Sequence, residues 1–197
     1  MESKPQILLI GDSIRMGYCE QVREELTDEA EVLFPSENCR CTAFVIESLA
    51  SWVALGDPER IAAVHFNSGH WDAESFLGDG QPLTPHDVYA RNLGRIFAYL
   101  KRRLPNARLS FATTTPMNPT MTDGVLRRTT NDIIEYNRVG AIAAREAGAE
   151  IDDLFAVTKD WSSDSFVDYC HFTPDSNALL GRVVADFLRR QLGISKT

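Results

Sequence analysis

Long apolar runs are missing from this sequence. No stretch approaches the ~20 residues that a membrane-spanning helix needs, so no membrane partner is expected. The opening residues, Met1-Glu2-Ser3-Lys4-Pro5, carry no apolar core of an export signal. Cysteine is scarce as well. Cys19, Cys39, Cys41 and Cys170 stand at spacings that form no disulfide framework, so reduced thiols and a cytoplasmic setting are expected. Cys39-Arg40-Cys41 lacks a second ligand pair at zinc-site spacing, so no structural metal is expected. Basic residues are the minority, 20 against 28 acidic for a formal net charge of -8, which disfavours nucleic acid or an anionic membrane surface as the partner. Internal repeats and low-complexity linkers are absent too.

What is present is an ordinary globular composition, 44% apolar and 24% charged over 197 residues, enough for one core and one domain spanning residues 1–197. Apolar runs alternate with segments of helical period. Ile7 to Ile10, Ala30 to Phe34, Ile61 to Phe66, Arg108 to Thr113 and Glu150 to Leu154 read as strands. Helices are expected over Ile14 to Leu26, from Thr42 through Trp52, from a Thr84 cap through Leu100, through Ile133 to Ala147, and from Thr173-Pro174 to Gly193. Such alternation predicts an α/β fold in three layers, α/β/α, around a five-stranded parallel sheet. Ligands of such sheets bind at the carboxyl ends of the strands, where the loops after strands one, three and four and the loop before the last helix converge.

The chemistry-bearing residues fall in those loops. Ser13 follows Gly11-Asp12 at a strand-to-helix turn, beside helix amides that suit a nucleophile whose product carries an oxyanion; Asp12 and Ser13 are equally suited to capping the helix. Of the four histidines, His65 lies within an apolar strand and reads as a hydrogen-bonded core residue, and His86 as an exposed first-turn residue. His70 follows the third strand and with Asp72 offers two metal ligands, too few to mark a site. His171 stands in Asp168-Tyr169-Cys170-His171, where a carboxylate three residues back can reach its Nδ1 and leave Nε2 available as a base.

Gly-Asp-Ser after the first strand together with Asp-x-x-His before the last helix resembles the SGNH hydrolases, the GDSL esterases and lipases, over nearly the whole chain. The resemblance implies a flavodoxin-like sheet, no cofactor, Ser13 as nucleophile, His171 as general base and acid, and Asp168 as its orienting partner. It also implies an oxyanion hole of three donors: the Ser13 amide, a backbone amide from the second block and an asparagine side chain from the third. The second block, Glu37-Asn38-Cys39-Arg40-Cys41-Thr42, has no glycine; Arg40 takes the glycine's place, with Cys39 as the other option. In the third block, Asn67-Ser68-Gly69-His70-Trp71-Asp72, Asn67 aligns with the oxyanion donor, and a second register puts Trp71 there. The implied activity is hydrolysis of short acyl esters, such as O-acetylated carbohydrates, with Trp71 and Thr114 to Pro119 lining the pocket. A thioesterase or lysophospholipase with the same triad stays open, as does a non-catalytic flavodoxin-like binding domain. Oligomeric state is not legible.

Overall fold

Ile7, Leu8, Leu9 and Ile10 are all fully buried because the strand that carries them is covered on both faces. The computed structural model describes residues 4–121 and 128–195. In it, β1 (Gln6–Ile10) lies in a five-stranded sheet with β2 (Glu31–Leu33), β3 (Ile61–Asn67), β4 (Arg108–Ala112) and β5 (Glu150–Asp152). Their order is β2-β1-β3-β4-β5, and every pairing is parallel. Period-two alternation divides the core. Leu8 and Ile10 join Val64, Phe66 and Phe111 on one side, and Ile7 and Leu9 join Ile14, Tyr18 and Val184 on the other. Each such side chain contributes roughly 1.5–3 kcal/mol by leaving water.

Helices α1 (Ser13–Glu25) and α6 (Pro174–Leu192) pack together on one face. On the other lie α2 (Thr42–Val53), α3 (His86–Arg103) and α4 (Thr130–Glu146), with the short α5 (Leu154–Thr158) after β5. The chain leaves β1 toward β2 on one side and toward β3 on the other. The carboxyl ends of β1 and β3 therefore flank a crevice at the point where the winding reverses, the place such sheets use for ligands. Among the described residues no helix is long and apolar enough to cross a membrane.

Local signals account for most element ends. Thr129 and Asp132 close α4's start with a reciprocal capping box, Thr173 caps α6 ahead of Pro174, and Gly193 ends α6 at φ 69°. One expectation needs correction. Thr84 does not cap α3; its hydroxyl is drawn to the buried Asp72 carboxylate, and the helix begins at His86 with Pro85 ahead of it. The stretch from Trp161 to His171 is irregular as expected, apart from a 3-10 turn at Ser163–Ser165 and a bridge between Phe166 and Phe172, and α5 precedes it. The loop expected from Thr114 to Asp123 has its far end, Thr122 and Asp123, outside the described residues.

Candidate active site

The turn after β1 leaves no room for a side chain at Gly11. A Cβ there would lie 2.7 Å from the Arg15 Cβ and 3.2 Å from that of Asn67. Asp12 then caps α1, its Oδ1 accepting the Ile14 amide at 3.0 Å. Asp12 thereby satisfies the helix end and leaves the Ser13 hydroxyl for another partner. That partner is His171, whose Nε2 lies 2.8 Å from the Ser13 Oγ across 158 residues of chain.

The His171 loop is built to hold its ring. Asp168 Oδ1 accepts the amides of Cys170 and His171 at 2.9 and 2.8 Å, and its Oδ2 accepts from His171 Nδ1 at 2.7 Å. A carboxylate at Nδ1 places the proton there, so Nε2 faces Ser13 as an acceptor. Partial burial alone would raise Asp168, but these three hydrogen bonds outweigh it and hold the group below the usual carboxylate range. Asn118 braces the loop from behind: its amide N–H donates to the Tyr169 carbonyl at 2.8 Å and its side chain to the Asp168 carbonyl at 3.1 Å. The segment expected to line the pocket, Thr114 to Pro119, thus serves the triad-bearing loop from its far side. Nothing local in the sequence marks Asn118 for this contact.

The other expected residues surround this group. Asn67 ends β3 level with Gly11; it is fully buried, its Nδ2 donates to the Ala112 carbonyl at 3.3 Å, and its Oδ1 has no partner among the described residues. Arg40 has φ 53°, the one non-glycine residue with positive φ among those described, which is the conformation that glycine adopts at least cost. Its amide donates to Asn38 Oδ1 at 2.8 Å, and its side chain stands over Phe44 and Trp71. The Cys39 amide is taken by the Gly11 carbonyl at 3.2 Å. Arg15, two residues after Ser13 and almost wholly buried, gathers this loop by donating to the carbonyls of Gly11, Pro35 and Glu37.

His70 and Asp72 do not converge as a metal pair. Asp72 is occupied by the Thr42 amide and hydroxyl and the Ser68 hydroxyl, while His70 Nε2 lies 3.4 Å from Thr115 Oγ1. Burial, reinforced by the nearby Arg128 and His171, keeps His70 well below its ordinary range and hence neutral. Asp168, Cys170 and His171 bring three metal-type donor atoms within 4.8 Å of one another. Burial pushes the Cys170 thiol up to about 12 despite Arg128 beside it, so this sulfur is a protonated thiol.

Ser13 and His171 open into a cavity of about 200 Å³ walled by Asn38, Trp71, Phe76, Tyr169 and the ion pair of Glu74 with Arg128. A larger hollow of about 580 Å³ beside β2 is lined by Lys4, Arg23, Glu31 and Arg60 and contains no histidine or cysteine. Ser13 and His171 thus meet at the smaller one. Sequence reasoning missed both Glu74 and Arg128, which meet across 54 residues.

No family model and no curated protein matches the sequence. Among solved structures 82 chains match. A lipase/acylhydrolase from Enterococcus faecalis superposes with a TM-score of 0.75 at 17% identity, covering 98% of each chain. An aryl esterase from M. smegmatis gives 0.75 at 18%, covering 95% of this chain and 100% of that one. A carbohydrate acetylesterase from Sinorhizobium meliloti gives 0.72 at 16%, covering 95% and 99%. At such identities the likeness is one of fold: this chain shares the three-layer α/β fold of these hydrolases.

Proposed function

We propose that the protein is a serine ester hydrolase of the SGNH type, acting on short-chain esters through an acyl-enzyme on Ser13. The observation that carries this reading is the relay of 2.8 Å from Ser13 Oγ to His171 Nε2 and 2.7 Å from His171 Nδ1 to Asp168. In this reading His171 takes the Ser13 proton as Oγ attacks the ester carbonyl, and Asp168 holds the imidazolium that forms. The tetrahedral oxyanion is met by the Ser13 amide at the start of α1, the second N–H of the Asn67 amide and the Arg40 amide, which substrate frees by turning Asn38 aside. His171 then protonates the departing alcohol, and water enters by the same route in reverse.

Size supports short acyl groups. The cavity of about 200 Å³ lies below the range of roughly 300–1,000 Å³ usual for drug-sized ligands. The fold's occurrence in a carbohydrate acetylesterase agrees with acetyl esters of sugars as substrates. A second reading, lysophospholipase or long-chain thioesterase action, draws on the exposed Phe76 at the cavity and Leu77 next to it, 39% and 87% accessible. The test combines a fluorophosphonate probe with p-nitrophenyl esters from acetate to octanoate. Labelling at Ser13, lost in Ser13→Ala together with at least about 10⁴-fold of turnover, is expected, with rates falling as the chain lengthens. Parental turnover by Ser13→Ala overturns the mechanism. Rates that rise toward octanoate favour the second reading.

A further inference from the structure

We propose that Glu74 and Arg128 form a subsite that reads hydroxyl groups on the alcohol portion of the ester, so that the substrate is an acyl ester of a hydroxylated ring; this rests on the serine-hydrolase reading above. Both side chains are only 4% exposed, yet both form part of the wall of the cavity that Ser13 and His171 share. At least three of the guanidinium's five N–H donors are engaged. Besides Glu74, its Nη1 donates to the His70 carbonyl at 3.2 Å and its Nη2 to Cys170 Sγ at 3.3 Å. Its Nε–H remains, buried and without a partner among the described residues. A buried donor left unmatched costs about 1–3 kcal/mol, so a ligand in the cavity whose oxygen reaches this N–H recovers that cost.

Charge decides which oxygen. The pair is neutral as a whole, and Glu74 repels a carboxylate or phosphate brought against it. An alkyl chain strips water from the pair and returns nothing. A hydroxyl accepts from the Arg128 N–H and donates to the Glu74 carboxylate at once, which suits both members. Beside them Trp71 and Phe76 stand with ring centroids 5.6 Å apart and planes at 37°, flat apolar walls that match the C–H faces of a sugar ring. The nucleophile thus sees the acyl carbon while the ring carrying it is held by its neighbouring hydroxyls.

The experiment compares two acetates on the native protein: methyl 3-O-acetylxylopyranoside, with two free hydroxyls, and 2-methoxytetrahydropyran-4-yl acetate, the same ring without them. We expect kcat/KM to favour the xyloside at least ~100-fold, since a site built to bond a hydroxyl rejects the analogue lacking it. Glu74→Gln and Arg128→Lys are each expected to shrink that preference at least about tenfold, chiefly through KM for the xyloside. Equal rates on the two esters overturn the subsite, as does a parallel loss on both in Glu74→Gln, the mark of a purely structural role. Should Arg128→Lys not fold, the native comparison and Glu74→Gln still decide. A native protein that is not labelled at Ser13 and cleaves neither ester overturns the hydrolase reading itself, and the subsite with it.

Discussion

His171 and Asp168 lie 2.7 Å apart on one loop, whereas His65 and Asp152 lie 2.9 Å apart between β3 and β5, with β4 running between them. The two pairs are chemically alike and differently employed. His65 is fully buried, its ring edged by Tyr18 and Phe187, and its Nδ1 has no partner among the described residues. His171 is about a third exposed on its side chain, and its second nitrogen meets the Ser13 hydroxyl. The bond between histidine and carboxylate is therefore not what marks a reactive group. The distinguishing features are a hydroxyl at the other nitrogen and an opening to solvent. The inner pair instead ties the three-residue edge strand β5 back to the middle of the sheet.

Removing the carboxylate from each pair breaks the comparison most sharply. Asp168→Asn is expected to lower kcat by about 10³–10⁴-fold through loss of the correct tautomer, with a smaller loss in unfolding than the buried pair shows. Asp152→Asn is expected to lose about 2–4 kcal/mol in urea unfolding while kcat/KM stays within about threefold. Equal activity losses in the two variants would show that the sheet pair belongs to the catalytic relay. Next in size is Asn67→Ala, expected to reduce kcat about a hundredfold with KM nearly constant, as loss of one oxyanion donor does. An unchanged kcat places the third donor elsewhere, with Asn38 the nearest candidate at the cavity wall.

The smallest effect separates the two aspartates nearest the relay, which shift in opposite directions. Asp12 is fully buried, and burial raises it from 3.8 to about 6, against the pull of the Ile14 amide, Arg128 and Arg15. Its folded pKa lies above the unfolded one, so its stabilising contribution is complete below about pH 4 and is lost as pH rises through about 6. Asp168, held low, contributes above the unfolded pKa and loses that contribution on acidification. Asp12→Asn keeps a good cap and is expected to gain roughly 1–3 kcal/mol over the parent at pH 8 but nothing at pH 3.5. Denaturation curves at the two pH values check the sign.

Much of the relay was legible in the sequence because its parts are local. A strand, a glycine, an acidic cap and a serine specify one turn, and Asp168 reaches His171 within three residues, so neither needs the fold to be known. The centre of the sheet was legible because β1 and β3 are nearly continuous apolar runs covered on both faces. Five-residue α5 was not, being shorter than the window in which a helical period can be recognised. Nor were the contacts made by topology alone: Arg128 to Glu74 and Cys170, Asn118 to the Asp168 loop, and Asp72 capturing Thr84 and so displacing a helix start. Each is an ordinary polar residue in a loop until the strand order brings its partner alongside. The orientation of the second block was partly legible: Arg40 was matched to a glycine position by counting, and its φ of 53° supplies the physical reason a glycine suits that place.

Arg15 sets a rule of chain length. One guanidinium holds the carbonyls of Pro35 and Glu37 at 2.9 and 2.6 Å while also grasping Gly11 on its own side. The span between those two carbonyls is thereby measured against a rigid ruler, and an inserted or deleted residue between them pulls one carbonyl off the ruler. At Gly78 and Gly80, by contrast, a side chain would meet nothing within 4 Å. Lineages of this fold that keep the buried arginine should vary in length at the Gly78 to Gly80 turn and keep the Pro35-to-Glu37 interval constant.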